Sequence, residues 1–270
     1  MATMSDLAEF WPDGVTFLDD VSPARWLEPR LLAWGTDVGT RVGAVVPTGY
    51  PAYVRILHPL GDGPDRPRWK DLAEAGGLVY HPTLQLDGVP QPPLANNQPY
   101  VPTIGKTPVW VRQAILKDLR GETRTPGSVF YAIWKGWGEI YREGSGGVAF
   151  VDGPLPGHQR RQVSLEPLYQ MVRNRPRLTL PGRAYLLARG ALDDLTRFPA
   201  DLTPSFVWPE DQAFCCATEV DFDSTVVGLS EQGAHCLLGD DSLEALPIGV
   251  NDRLDIHGDT MNPALDRRPH

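Results

Sequence analysis

The 270-residue chain contains only three cysteines, and two of them, Cys215 and Cys216, are adjacent in the sequence. A disulfide-stabilised extracellular domain needs several cysteines at spaced positions, so this class of protein is not predicted. No apolar run approaches the roughly 18 residues that a membrane span requires, and the first residues lack the basic and apolar parts of a signal peptide. We therefore expect a cytoplasmic protein that makes no contact with a membrane.

Positive charge is also scarce, since 25 lysines and arginines stand against 34 acidic residues and give a net charge of −9. Nucleic-acid binding depends on cations that displace condensed counterions, so we expect no nucleic-acid partner. Residues 158–189 carry seven arginines and one glutamate, whereas residues 190–270 carry sixteen acids and four arginines. We expect these two segments to lie close together and neutralise each other; the alternative is a basic face that binds an anion or a partner.

The common catalytic fingerprints are missing as well. The sequence has no Gly-rich dinucleotide or phosphate loop, no G-x-S-x-G nucleophile elbow and no H-E-x-x-H zinc motif. Cys215, Cys216, His235 and Cys236 do not have zinc-ligand spacing, and adjacent residues of a strand point to opposite faces. These patterns predict no metal site and no cofactor.

Two apolar runs each end in a His-Pro pair, at His58 and at His81. If the runs form neighbouring strands, the two imidazoles flank one cleft and can carry general acid–base work. The alternative is a structural role, because proline ends strands and the residue before it often lies at the rim of the sheet.

Twenty-seven prolines and 27 glycines predict short elements joined by long loops. Helices are predicted over 22–35, 69–75, 108–120, 191–197 and 231–238, and strands over 41–46, 50–57, 78–80, 128–134, 183–188, 206–208 and 213–222. Strands and helices are interspersed without regular βαβ alternation, which predicts a single α+β domain with a mainly antiparallel sheet, a mixed sheet being the alternative. We expect this domain to span 1–262, with a possible subdomain break in the Pro-rich stretch 88–107 and a frayed tail at 263–270.

The segment 205–231 concentrates the most chemistry in the chain. Glu219, Asp221 and Asp223 are spaced by two and are followed by Ser224 and Thr225. Alternation is the period of a strand, so the three carboxylates are predicted to line one face of the strand 213–222. One interpretation is that this face is wet and meets arginines from upstream in the chain.

A second interpretation is a binding groove. Aromatic side chains exposed in a cleft act as binding anchors, and Trp208 opens a W-P-E-D turn beside the acidic residues. The predicted groove residues are Trp208, Glu210, Asp211, Glu219, Asp223 and Arg183. The leading hypothesis is therefore a non-catalytic binding protein that acts on a protein partner, as an immunity or regulatory factor, with its oligomeric state left open.

The stretch Asp221-Phe222-Asp223-Ser224-Thr225 resembles the D-x-D-[GS]-T motif that follows an apolar strand in the haloacid-dehalogenase phosphatase superfamily, although the run before it here carries the charge of Glu219. The resemblance implies that Asp221 attacks phosphorus, that Asp223 handles the leaving-group proton and that magnesium bridges carboxylate and phosphate. The superfamily also needs further βα units with a basic residue and an acidic pair downstream, but no lysine occurs after residue 135. A magnesium-dependent phosphohydrolase is thus the alternative hypothesis.

Three longer segments carry a resemblance over most of the chain: WPEDQAFCCATEVDFDSTVVG, TGYPAYVRILHP and PGRAYLLARG. They are similar to a family of bacterial proteins of about this length. The resemblance implies one cytoplasmic α+β domain and brings no established activity with it.

Overall fold

Runs rich in β-branched and aromatic residues form the strands of this protein. The computed structural model describes residues 11–34, 40–61, 66–85, 102–136, 148–151, 161–164, 170–199 and 202–262. The strands are β1 (Thr16–Phe17), β2 (Ala52–Leu57), β3 (Val129–Trp134), β4 (Val148–Val151), β5 (Arg161–Ser164), β6 (Leu178–Leu180), β7 (Arg183–Gly190), β8 (Phe206–Pro209), β9 (Cys215–Thr218), β10 (Ser224–Leu229) and β11 (Ala245–Pro247).

Nine of these strands form one sheet in the order β1, β7, β3, β8, β9, β10, β2, β11, with β6 pairing with β7 beside β1. β4 and β5 form a separate two-stranded sheet. Every pairing between these strands is antiparallel. Together with the short helices between the strands, this architecture confirms the predicted α+β class.

Sequence signals at helix ends locate two of the α-helices. The α-helices whose whole extent is described are α1 (Val42–Val45), α2 (Trp69–Ala75), α3 (Val109–Leu119) and α4 (Glu231–Leu238). The hydroxyl of Ser230 accepts a hydrogen bond from Gly233 N at 3.0 Å and so caps α4, while Gly76 follows the end of α2. The helices predicted at 69–75 and 231–238 are therefore confirmed. None of the helices in the described ranges combines the length and the apolar character needed to cross a membrane.

Both faces of the sheet are buried. On one face, α3, α4 and the 3-10 helix Leu192–Arg197 pack apolar side chains against Val227 of β10. On the other face, α1 and the 3-10 helix Ser22–Ala24 pack against Val226 of the same strand. Strands that are buried on both faces read as continuous apolar runs, which is why β3 is visible in the sequence without an alternating pattern.

Some sequence predictions for the first 80 residues are wrong. The helix predicted over 22–35, with an interruption expected at Pro29, is instead two 3-10 helices, Ser22–Ala24 and Glu28–Arg30; Pro29 lacks the N–H that a continuous helix needs there. The strand predicted over 41–46 is α1, whose four residues are all buried, so tertiary packing overrides the strand preference of valine. The strand predicted over 78–80 is not formed.

Some of the predicted domain boundaries concern residues outside the described ranges. The tail at 263–270 lies outside the described residues, and only 102–107 of the Pro-rich stretch 88–107 is described. The domain bounds of 1–262 therefore stay a prediction.

The acidic segment is a turn, which corrects the prediction of one strand over 213–222. β9 ends at Thr218 and β10 begins at Ser224. Between them, residues 219–223, here called the acidic turn, reverse the chain, and Phe222 N donates to Glu219 O at 3.1 Å. The carboxylates at every second position therefore do not mark the alternating faces of a strand. They belong to a turn in which each carboxylate has an arginine partner.

Residues 102–107 cross over the acidic turn. Gly105 N donates to Phe222 O at 2.8 Å, and Gly105 has a φ of +66°. A Cβ atom at this position would lie 2.3 Å from Val220 O. Both the backbone conformation and the close approach therefore require glycine.

We expect Gly105→Ala to lower the free energy of unfolding by about 3 kcal/mol, because the new methyl group meets a carbonyl oxygen and the backbone is strained. Gly77→Ala measures the backbone cost alone, since Gly77 has a φ of +70° and no atom within 4 Å of its Cβ position. That control should cost about 1 kcal/mol. Chemical denaturation checks the difference, and equal costs would contradict the crowding by Val220.

Candidate functional site

Arg183 binds two carboxylates of the acidic turn. Its Nη2 lies 2.5 Å from Glu219 Oε1 and 2.5 Å from Asp221 Oδ2. The guanidinium carbon is 5.4 Å from the ring centre of Trp34 and 4.9 Å from that of Trp134, and such cation–π contacts stabilise a partly desolvated arginine. The structure thus brings together Arg183 and Glu219 of the predicted groove, and an arginine of the 158–189 segment neutralises acids of the 190–270 segment.

Glu219 is a buried carboxylate, with 5% of its surface exposed. Burial raises the pKa of Glu219 above its usual value, and the charge of Arg183 opposes that rise. The contact between the two is an ion pair, and Glu219 Oε1 is buried without a hydrogen-bond partner. Charge, more than a directed hydrogen bond, therefore holds this side of the acidic turn.

Arg55 binds the third carboxylate of the acidic turn. It lies in β2 with none of its surface exposed, and its Nη2 donates to Asp223 Oδ1 at 2.9 Å. Its Nε donates to Ser224 Oγ at 2.9 Å, and its Nη1 donates to the carbonyl oxygens of Pro82 at 2.8 Å and Leu84 at 3.1 Å. A guanidinium that cannot reach water needs such partners. Asp223 is therefore a structural counter-ion.

The other residues of the predicted groove lie elsewhere. Trp208 is 1% exposed and stacks on Phe130 in the core, with 5.6 Å between ring centres. Glu210 lies 3.3 Å from Arg189, and Asp211 accepts hydrogen bonds from nearby backbone N–H groups. Both acids follow β8, at the end of β9 opposite the acidic turn and roughly 13 Å away along a four-residue strand. A groove anchored by Trp208 is therefore not formed.

The geometry gives no support to a phosphohydrolase centre at Asp221 and Asp223. Their carboxylates bind different arginines, and their turn joins antiparallel strands, whereas the superfamily places its motif among βα units. Within the described residues, no group of three or more His, Cys, Asp or Glu side chains is arranged to hold a metal ion. Magnesium binding and phosphohydrolase activity stay untested predictions.

The two histidines have separate surroundings. His81 Nε2 lies 2.9 Å from Asp259 Oδ1. His58 is fully buried; its Nδ1 is 2.6 Å from Thr103 O and its Nε2 is 3.0 Å from Thr225 Oγ1. A carbonyl oxygen only accepts, so Nδ1 carries the hydrogen and Thr225 donates to Nε2. Burial lowers the pKa of His58 to about 4, so the imidazole is neutral near pH 7 and acts as a structural link.

An open cleft of about 660 Å³ lies between α2, the start of α3 and the connection from α4 to β11. A volume of this size is typical of small-molecule sites. The residues that line this charged cleft are Leu57, Pro59, Arg66, Arg68, Asp71, Trp110, Asp241, Ser242 and Glu244. Sequence analysis missed it because its residues come from four separate parts of the chain.

Backbone groups hold two charged side chains of the charged cleft in place. Glu244 accepts hydrogen bonds from Trp69 N at 3.0 Å and Lys70 N at 3.1 Å, a position at a helix N-terminus that favours a carboxylate. Burial raises the pKa of Glu244, and these two donors oppose the rise. Arg68 donates to Leu243 O at 2.7 Å. Both side chains are therefore fixed before any ligand arrives.

The remaining lining residues give the cleft an aromatic wall and an exposed acidic rim. The guanidinium carbon of Arg66 lies 4.1 Å from the ring centre of Trp110, which is within the range of a cation–π contact. Asp241 and Ser242, which also line the cleft, are exposed. The cleft thus presents groups of both charges to one ligand-sized space.

Comparison with known proteins gives no further assignment. No family model matches the chain, and neither a curated protein nor a solved structure matches it.

We expect Asp223→Asn to lower the free energy of unfolding by about 3 kcal/mol, because it leaves the buried Arg55 charge without its counter-ion. Asp221→Asn should cost less than about 0.5 kcal/mol, since water screens an exposed ion pair and this side chain is 71% exposed. Urea denaturation of both variants at one pH measures the difference. Equal costs would contradict the structural role given to Asp223.

Stability should fall in mild acid because of His58. Its pKa is about 4 in the folded chain and about 6.5 in the unfolded chain. Below pH 6.5 the unfolded chain therefore binds a proton that the folded chain does not, so stability present above pH 6.5 is lost as the pH falls. The loss between pH 6.5 and 5 is about 2 kcal/mol.

The check is the free energy of unfolding measured at several pH values in the parent and in His58→Asn. Asparagine cannot titrate, so the variant should be less stable at pH 7 yet show a shallower decline towards pH 5. Parallel curves for the two proteins would show that His58 is not responsible.

Proposed function

We propose that this chain is a non-catalytic cytoplasmic binding protein whose ligand occupies the charged cleft. The observation that carries the proposal is the set of fixed charges around a space of about 660 Å³. Ligand sites combine a cavity of this size with a few well-placed polar groups. Groups that are already ordered lose little entropy on binding, which favours affinity.

The acidic turn supports binding over catalysis. Its three carboxylates are neutralised by Arg183 and Arg55, so they serve the sheet and are not poised for a reaction. The charged cleft differs, because the carboxylate of Asp241 is exposed at its rim. Charges that remain accessible on the protein are the ones that can be used by a ligand.

The chemistry of the cleft favours a ligand with both an anionic and a cationic group. Arg68 Nε lies 3.8 Å from Glu244 Oε1, but the Arg68 side chain is 46% exposed, so its guanidinium can also meet a carboxylate of a ligand. Asp241 offers a carboxylate for an amine. The ring of Trp110 adds a flat apolar surface between charged groups. A peptide end or a charged loop of a protein partner carries this combination, and a free dipeptide is its simplest form.

Dipeptides are therefore the probe. We expect members of a panel that includes basic and acidic side chains to raise the thermal midpoint of the parent and to give a measurable Kd by calorimetry. Asp241→Asn and Trp110→Leu should each weaken that Kd about tenfold or more, as expected for the loss of one directed contact. Asp221→Asn, an exposed carboxylate outside the cleft, is the matched control and should bind like the parent.

Two results would overturn the proposal. One is a panel in which no dipeptide binds, or in which binding is unaffected by both cleft variants. The other is magnesium-dependent turnover of p-nitrophenyl phosphate that is lost in Asp221→Asn, since this would favour the phosphohydrolase hypothesis.

A further inference from the structure

A small pocket lies between the sheet and α3, apart from the charged cleft. Its volume is about 20 Å³. This is enough for one particle of the size of a water molecule or slightly larger. Its walls are formed by Thr107, Arg112, Ile115, Leu195, Thr203, Pro204, Val207, Cys216, Thr218 and Thr225. We call it the hydroxyl cavity, since four of these residues are threonines.

Arg112 brings a positive charge to the hydroxyl cavity. It is 1% exposed, and its Nη1 and Nη2 donate to Leu195 O at 3.1 Å and Pro199 O at 3.2 Å. Its Nε is buried and has no hydrogen-bond partner. Burial lowers the pKa of Arg112 to about 10, so the side chain is still cationic at neutral pH.

The charge of Arg112 has no counter-ion among the described residues. Arg55, the other fully buried arginine discussed above, pairs with Asp223, whereas the described contacts of Arg112 are two carbonyl oxygens. Burying an unpaired charge costs several kcal/mol. An anion held beside Arg112 would remove most of that cost.

The threonines supply further donors. Thr203 Oγ1 accepts a hydrogen bond from Thr107 N at 2.9 Å, and no described residue accepts the hydrogen of the Thr203 hydroxyl. Thr225 donates to His58 as derived above, so its oxygen accepts from Thr218 at 2.8 Å. The Nε–H of Arg112 and the hydroxyl of Thr203 are therefore two unmatched donors on the wall of one cavity.

We propose that the hydroxyl cavity binds one small monovalent anion of halide type, chloride under ordinary conditions. The size of the cavity excludes tetrahedral anions such as phosphate and sulfate, which have five heavy atoms. A single water molecule would satisfy the donors but would leave the charge of Arg112 without compensation. The bound anion joins α3 to β9 and β10, and this role is independent of the charged cleft and its ligand.

Thermal unfolding at constant ionic strength tests the proposal. Binding to the folded state alone raises stability with ligand concentration, so replacing gluconate by chloride should raise the midpoint by about 3 °C in the parent. Arg112→Met keeps an unbranched apolar stem and removes the guanidinium with its charge, and the midpoint of this variant should not depend on chloride. Arg120→Met is the matched control, because Arg120 follows the same helix but is exposed, and it should respond like the parent.

Crystals of the parent soaked in bromide give a second measurement that does not depend on any variant. We expect an anomalous peak in the hydroxyl cavity beside Arg112 Nε. An absent peak, or density there that shows no anomalous signal and is therefore water, would overturn the proposal. So would a midpoint of the parent that is the same in chloride and gluconate, or an unchanged chloride response in Arg112→Met.

Thr203→Val, which removes the second donor, should weaken the response if Arg112→Met does not fold.

Discussion

The buried guanidinium of Arg55 is the contact on which the middle of this fold depends. From one strand, β2, it reaches the start of β10, the last residue of the acidic turn and the backbone at Pro82 and Leu84. Each of these bonds substitutes for water that the side chain has lost. These hydrogen bonds of Arg55 explain why the acidic turn, with its three carboxylates, can lie against the core of the sheet.

The sequence predicted elements whose signals are local. Helices α2 and α4 follow from an apolar pattern with glycine or serine at its ends, and β3 follows from a run of strand-forming residues. Prediction from the sequence was wrong where contacts between residues far apart in the chain determine the local conformation. α1 has four residues that are buried on all sides, so its neighbours set its conformation, and the acidic turn copies the pattern of a strand because its carboxylates meet arginines from β2 and β7.

The same limit applies to the candidate site. Pairing between the acidic segment and upstream arginines was predictable from charge alone, but the choice of Arg183 for Glu219 and of Arg55 for Asp223 depends on strand order. The charged cleft was not predictable, because it appears only when residues near 57, 66, 110 and 241 are brought together. Trp208 was predicted to be a binding anchor because it is a large aromatic residue beside acidic ones. Its side chain is buried on one face of β8, so it belongs to the core.

The ends of the sheet have a consequence for solubility at high concentration. β1 has two residues, and β11 has three and ends in Pro247, which has no backbone N–H to donate. Among the described residues, an incoming strand from another copy would find only a few unpaired backbone groups on β1 or on β11. Short, proline-containing borders of this kind discourage the edge-to-edge growth that leads to aggregation.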